Sequence, residues 1–401
     1  MQKYVYSYGT HEKGYYFSIN FYKNFAFAKA RSPPSYLLFL TYFYCMKKIL
    51  FFALIVLSTA CKENTETSEQ KEDKQESRND VTIEMTEVLT DTISIRALDY
   101  GDGDYWFSGN NGQYGRIDAT TGKVEMSKVT FDENENIEYR SIAVTDQYTY
   151  ILSAGNPALV YKITHANNDV KLVYTEVEER VFYDSMKFWN DQEGIAFGDP
   201  TEDCLSVIKT FDGGESWAKC KCTYLPEFIK DEAAFAASNS NISIYKDNVW
   251  LATGGAAARI LHSKDRGSTW EEYATPMIAG SQMAGIFAID FIDEKRGIMI
   301  GGDWNKKEDN LYNKAITFDG GKNWKLMSSG NGPGYCSDIV FVPETDGKEL
   351  FAVGSEGIWW SGSQGDDWIK LTEEGFYTVR MINRNEGYLA GRNKISSFSL
   401  Q

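Results

Sequence analysis

The chain has 401 residues, a formal net charge of −16, 34 Gly, 8 Pro and 14% aromatic residues. Seven of its Lys/Arg and one acid lie in residues 1–60, which leaves 34 bases against 56 acids, a net −22, beyond residue 60. Such an acidic body repels phosphate backbones, which argues against nucleic acid as a partner. The aromatic, Gly-rich composition suits short β-strands joined by tight turns.

Residues 1–45 are aromatic-rich without a clear period, and they precede a segment that is a complete beginning in itself, so they read as sequence upstream of the true start. That segment, residues 46–60, is Met46-Lys47-Lys48 followed by an apolar run from Ile49 to Ala60. The run is too short to span a bilayer and fits a secretory signal. Its ending, Leu57-Ser58-Thr59-Ala60-Cys61, resembles the bacterial lipobox, which implies diacylation of Cys61 and a lipid anchor as the chain's only hold on a membrane, outside the cytoplasm. Residues 61–80 contain no large apolar side chain beyond the Cys and are expected to form a disordered tether of about 25 Å end to end.

From Val81 onward two repeats run through the chain. Short apolar runs end in glycine seven times, at Gly109, Gly155, Gly198, Gly254, Gly301, Gly354 and Gly391. Between them returns a turn motif: Thr317-Phe318-Asp319-Gly320-Gly321-Lys322-Asn323-Trp324, with copies carrying Thr210, Asp212, Gly214 and Trp217, and Ser263, Asp265, Gly267 and Trp270. A worn copy has Ser361, Gly365 and Trp368, with Ser363 in place of the Asp. The hydroxyl and carboxylate satisfy backbone N–H groups of the turn, glycine takes the positive φ, and Trp covers the hairpin. Four strands per unit over seven units predict an all-β chain, a β-propeller of seven four-stranded blades over 81–401. The last unit stops one strand short, and residues 81–88 supply a strand without a partner, so the N-terminal strand is expected to close the ring. Turns in the first two units, around Asp118 and Thr164, are eroded, and six blades is the alternative.

The turn resembles the Asp-box, or BNR repeat, of sialidases, sortilin-type receptors and the photosystem II stability and assembly factor family. The whole of 81–401 is most similar to secreted bacterial lipoproteins related to that assembly-factor family. This resemblance implies that the boxes are structural and carry a fold rather than a chemistry.

Little in the chain supports catalysis. Beyond the signal only His165 and His262 remain, which leaves scant material for a metal centre or a Ser-His-Asp triad. No Gly-x-Gly-x-x-Gly or phosphate-cradling loop is present, so no cofactor is expected. The Arg-Ile-Pro string of sialidases is missing; Arg116-Ile117-Asp118 comes nearest. Arg96, Arg140 and Arg380 fall near the starts of first strands in units one, two and seven, which ring closure makes neighbours. They are expected to form an anion-binding patch at the channel mouth, unless each pairs with a local carboxylate such as Asp184 or Asp338. The long loops 303–313, with Trp304 and Tyr312, and 222–234, with Tyr224 and Phe228, share the ligand-facing end. The reading is a binding or assembly module for a protein or carbohydrate ligand; a sialidase-like glycoside hydrolase is the alternative. Pairing Thr210 with Trp217 sets Cys204 opposite residue 223, so a Cys204–Cys222 disulfide is expected, with Cys220 as second choice.

Overall fold

The computed structural model describes residues 80–132, 136–201 and 204–401. The upstream stretch, the signal segment, Cys61 and the tether as far as residue 79 lie outside them. Every regular element among the described residues is a strand, apart from two single-turn 3₁₀ helices, Cys222–Tyr224 and Trp304–Lys306.

Within each unit the main strands pair antiparallel in chain order, because the connecting turns are short. The result is a β-propeller of six sheets, the count of the alternative expectation rather than of the first. Four sheets are four-stranded meanders, beginning at Tyr139–Val144, Tyr183–Phe188, Ile242–Tyr245 and Asp338–Phe341. A fifth adds the two-residue strands Glu232–Ala233 and Gly254–Gly255 to the meander that starts at Ala284–Phe291.

The sixth sheet joins the chain ends. Residues 83–90 of the long strand Ile83–Gly101 pair with residues 394–400, while residues 95–101 pair with Asp104–Gly109. The last element, Glu386–Leu400, doubles back at Arg392-Asn393: Leu400 N donates to Asn385 O at 2.7 Å, and Asn393 has a φ of 63°. One sheet therefore carries both the first and the last of the seven sequence units, and the N-terminal strand closes the ring inside it. The ring cannot open without breaking this ladder.

Alternate side chains fill the space between neighbouring sheets. Trp250, fully buried, stacks on Phe291 of the next unit at 3.8 Å between ring centres, and Tyr150 stacks on Phe188 at 4.3 Å. The repeated turns bind the same neighbours. Thr210 Oγ1 donates to Asp212 Oδ1 (2.9 Å) and accepts from Gly214 N (2.9 Å), and Asp212 accepts from Ser216 N (3.0 Å) and Ser216 Oγ (2.6 Å). Ser263 with Asp265, and Thr317 with Asp319, repeat the pattern. In the worn copy Ser363 Oγ takes the place of the carboxylate and accepts from Asp367 N at 2.9 Å. Three of the turns present a carbonyl to the preceding unit: Tyr150 Oη donates to Gly213 O (2.7 Å), Lys209 Nζ to Arg266 O, and Trp250 Nε1 to Gly320 O (2.9 Å).

Cys204 and Cys222 are joined, with 5.3 Å between their Cα atoms, as the register Ile208↔Lys219 places them. Closing a loop of that length contributes about 3 kcal/mol in the chain-entropy model. Cys220 and Cys336 are free thiols.

Gly214 has a φ of +70°, and a Cβ there would lie 2.3 Å from a ring carbon of Tyr150; Gly122 has the same φ with nothing within 4 Å. Gly122→Ala is expected to cost about 1 kcal/mol through backbone strain alone, and Gly214→Ala about 2–4 kcal/mol because the neighbouring unit must also move. Denaturant unfolding of the two variants side by side checks this, and equal losses would mean that the turn does not lock the units together.

Candidate functional site

The innermost strands of a propeller surround a central channel. Here the chain fills it. After the outer strand Ala218–Lys219 the backbone passes over the end of the ring and threads residues 235–241 into the channel, with every residue of that stretch buried. The sequence is Phe235-Ala236-Ala237-Ser238-Asn239-Ser240-Asn241, small enough for a backbone to pass through a narrow opening. Asn239 takes a φ of 62°, a conformation Asn tolerates.

Once inside, this plug bonds to the other six units. Asn239 Nδ2 donates to Ile142 O (2.7 Å), and Asn239 Oδ1 accepts from Met186 N (3.1 Å). Ser238 Oγ donates to Ser337 O (2.7 Å), Ser240 O accepts from Ile289 N (2.8 Å), and Ser238 O accepts from Thr378 Oγ1 (3.2 Å). Ala237 O accepts from Arg96 Nη1 at 3.5 Å. The plug divides the channel into two cavities, an upper one at the end where the innermost strands begin and a lower one where they finish.

The upper cavity, about 400 Å³, holds Arg96, Arg140, Asp199, Trp304 and an aromatic wall. Register shifts fall between Ile95 and Ala97, Tyr139 and Ser141, and Ile286 and Ala288. Arg96, Arg140 and Phe287 are thus each the extra residue of a bulge, and a bulge re-aims its side chain out of the regular alternation. Arg96 lies over the Tyr377 ring at 4.1 Å and makes no ion pair among the described residues. Burial first, and Arg140 second, push Arg96 below its ordinary value, and both arginines line this cavity. Arg140 pairs with Glu138 at 2.8 Å. Phe235 stacks on Phe287 (4.0 Å), and Tyr335 meets both Phe287 (4.7 Å) and Trp304 (5.2 Å) edge-on. Trp304 is fixed by its 3₁₀ turn, which Asp303 caps by accepting from Asn305 N at 2.9 Å.

Arg380 does not join this patch. It pairs with Tyr388, three residues before Gly391, which is the level of Asp99 opposite Trp106 in the first unit. It opens onto the lower cavity and is bonded to Asp338 (3.1 Å) and Ser240 (3.3 Å). The expected three-arginine cluster is corrected to two arginines and Trp304, because bulges lift Arg96 and Arg140 and no bulge lifts Arg380. Phe228 packs into a core cluster, whereas Tyr224 is exposed. The plug escaped sequence reading altogether; its one available signal is the run of small residues from Ala236 to Asn241, which has no strand alternation.

Two carboxylates also sit near the mouth. Asp184 is fully buried and held well above the usual carboxylate range by burial and then by Asp199. Tyr335 is buried, and burial drives its hydroxyl upward, the wrong direction for a nucleophile. The histidines are structural: His165 stacks on Trp106 at 5.0 Å, and His262 stacks on Trp250 at 4.8 Å, with burial pushing it down to about 4.

The fold and its closed ring define a β-propeller. Among solved structures it is similar to YCF48 bound to D1 peptide, at a TM-score of 0.58 and 13% identity over 79% of this chain and 94% of that one. YCF48 from Cyanidioschyzon merolae matches at 0.55 and 13% over 79% and 98%, and the U3-55K structure at 0.55 and 10% over the same shares. No family model matches the sequence, and no curated protein does so.

Asp199 accepts from Ala234 N at 2.7 Å, yet burial dominates and raises it to about 6. The folded state therefore binds more protons than the unfolded chain between about pH 4 and 6, and this group's contribution to stability falls as pH rises through that window. Asp199→Asn is expected to gain about 1–2 kcal/mol over wild type at pH 7.5, discounted for partial exposure, and nothing at pH 4. Unfolding midpoints at the two pH values test it; a gain that is the same at both would show that the carboxylate is not strained.

Proposed function

We propose that this chain is a protein-binding module whose upper mouth takes an acidic segment of a partner protein. The observation that carries the reading is the pair of bulge-delivered guanidinium groups, Arg96 unpaired beside Arg140, at the rim of an aromatic-walled cavity. Two such groups recognise a carboxylate through charge-assisted, bidentate bonds, and an otherwise acidic body confines an anionic ligand to this one spot. Exposed apolar side chains on the loops at the same end, Tyr224, Ile229, Met283, Leu311 and Tyr312, add contact area of the kind that partner proteins cover. The similar YCF48 structure holds a D1 peptide, which accords with peptide capture on this fold.

Arg96→Ala/Arg140→Ala is expected to weaken capture of acidic peptides from an immobilised array at least about tenfold, the loss of one or two charge-assisted bonds. The thermal midpoint should stay near wild type. Undiminished capture by the double variant would overturn the assignment. A glycoside hydrolase is the competing reading, and turnover of aryl glycosides or sialosides by purified protein, lost on changing Asp199, would favour it; the buried state of Asp184 and Tyr335 speaks against it.

The same proposal places the module outside the cytoplasm on a lipid anchor at Cys61, supported by the Leu57-Ser58-Thr59-Ala60-Cys61 string alone. Cys61→Ala is expected to leave the precursor uncut or the product free of membranes. Unchanged membrane fractionation with unchanged processing would remove the lipobox assignment.

A further inference from the structure

The lower cavity is separate from the mouth just described and is floored by Ser240 of the plug. It measures about 510 Å³, with walls that include Trp189, Ile244 and Ile339. That volume is within the range of small-molecule pockets. Four charged side chains reach it from the innermost strands of four different units: Asp99 from the first, Lys187 from the third, Asp290 from the fifth and Arg380 from the seventh. In order round the ring they read acid, base, acid, base.

These charges face one another without closing into hydrogen-bonded pairs. Lys187 Nζ lies 3.6 Å from Asp99 Oδ1, and Arg380 Nε lies 3.7 Å from the same oxygen. Lys187 makes no hydrogen bond among the described residues. Asp290 accepts only from Phe341 N, at 2.9 Å. Burial pushes Lys187 below its ordinary value and Asp290 up to about 6, so both are held in surroundings that resist their charge. Buried charges without tight partners are costly, and a ligand that brings an opposite charge to each relieves that cost.

The sign pattern selects the ligand. Asp99, Asp290 and Asp338 against Lys187 and Arg380 leave one net negative charge, which disfavours a simple anion, while Lys187 disfavours a simple cation. A molecule with both an ammonium and a carboxylate satisfies Asp290 and Lys187 together, and the apolar walls accept a hydrocarbon side chain. We propose that the lower cavity binds a small zwitterion, a free α-amino acid or dipeptide, with its ammonium on Asp290 and its carboxylate on Lys187.

Calorimetric titration of the full chain at pH 7.5 with leucine, alanyl-leucine, N-acetyl-leucine and leucinamide tests this without any variant. Saturable binding is expected for at least one of the two free forms, and the tighter of them says which size of zwitterion the cavity takes. Blocking either end should weaken binding at least about tenfold, the loss of a charge-assisted bond. Lys187→Met should abolish the penalty for amidation, and Asp290→Asn that for acetylation. The proposal fails if none of the four binds, or if the blocked forms bind as well as the free ones.

Discussion

The bonds of Ala237, Ser238, Asn239 and Ser240 to six separate units are the constraint on which the rest of the molecule depends. A propeller is a ring of sheets that touch chiefly their neighbours, and an open axis leaves the backbone groups of the innermost strands facing water. Here one short segment spans that axis and reaches across the ring, from Ile142 and Met186 on one side to Ser337 and Thr378 on the other. The side chains of Ser238, Asn239 and Ser240 are buried and polar, and the bonds named above satisfy them, which is the condition under which buried polar groups specify a single arrangement instead of weakening it. The backbone at Asn239 accepts an unusual φ to achieve this.

The plug also decides what kind of protein this can be. A through-channel becomes two blind cavities with different chemistry. In the upper one, bulges at Arg96 and Arg140 turn two arginines toward the mouth; Arg140 pairs with Glu138, whereas Arg96 lies against an aromatic face. In the lower one, residues on regular strands bring opposite charges to the same level round the ring. The same strand periodicity thus yields a pair of arginines at one mouth and a ring of alternating charge at the other, and the extra residue of a bulge is what separates the two outcomes.

Between the sheets, the repeated turns act as locks. Their hydroxyl and carboxylate groups are consumed within the turn, and in three of them a carbonyl accepts from a tyrosine, lysine or tryptophan of the preceding unit. That arrangement explains why Ser363 serves in place of an aspartate: a hydroxyl still accepts from the Asp367 amide, and nothing outside the turn reads the missing charge.

Much of the architecture was legible in the amino-acid order. Strand alternation, closing glycines and the Thr/Ser-x-Asp-x-Gly turn are local patterns with local physical causes, so they revealed an all-β propeller, its repeat and the N-terminal strand that closes it. The 204–222 pairing was open to the same reasoning, since hairpin register follows from the turn between its strands. What the sequence could not determine was everything set by distance across the ring. Two residues of alike appearance, Arg140 and Arg380, ended in different cavities because a one-residue bulge changes the level and direction of a side chain without leaving a mark in composition. The path of residues 235–241 through the channel was equally hidden, because its partners lie as far as 141 residues away in the chain and are mostly backbone groups, which carry no sequence signature. Merging of the first and last units into one sheet belongs to the same class: it is decided by how a bent strand is shared at the seam, a matter of tertiary geometry alone.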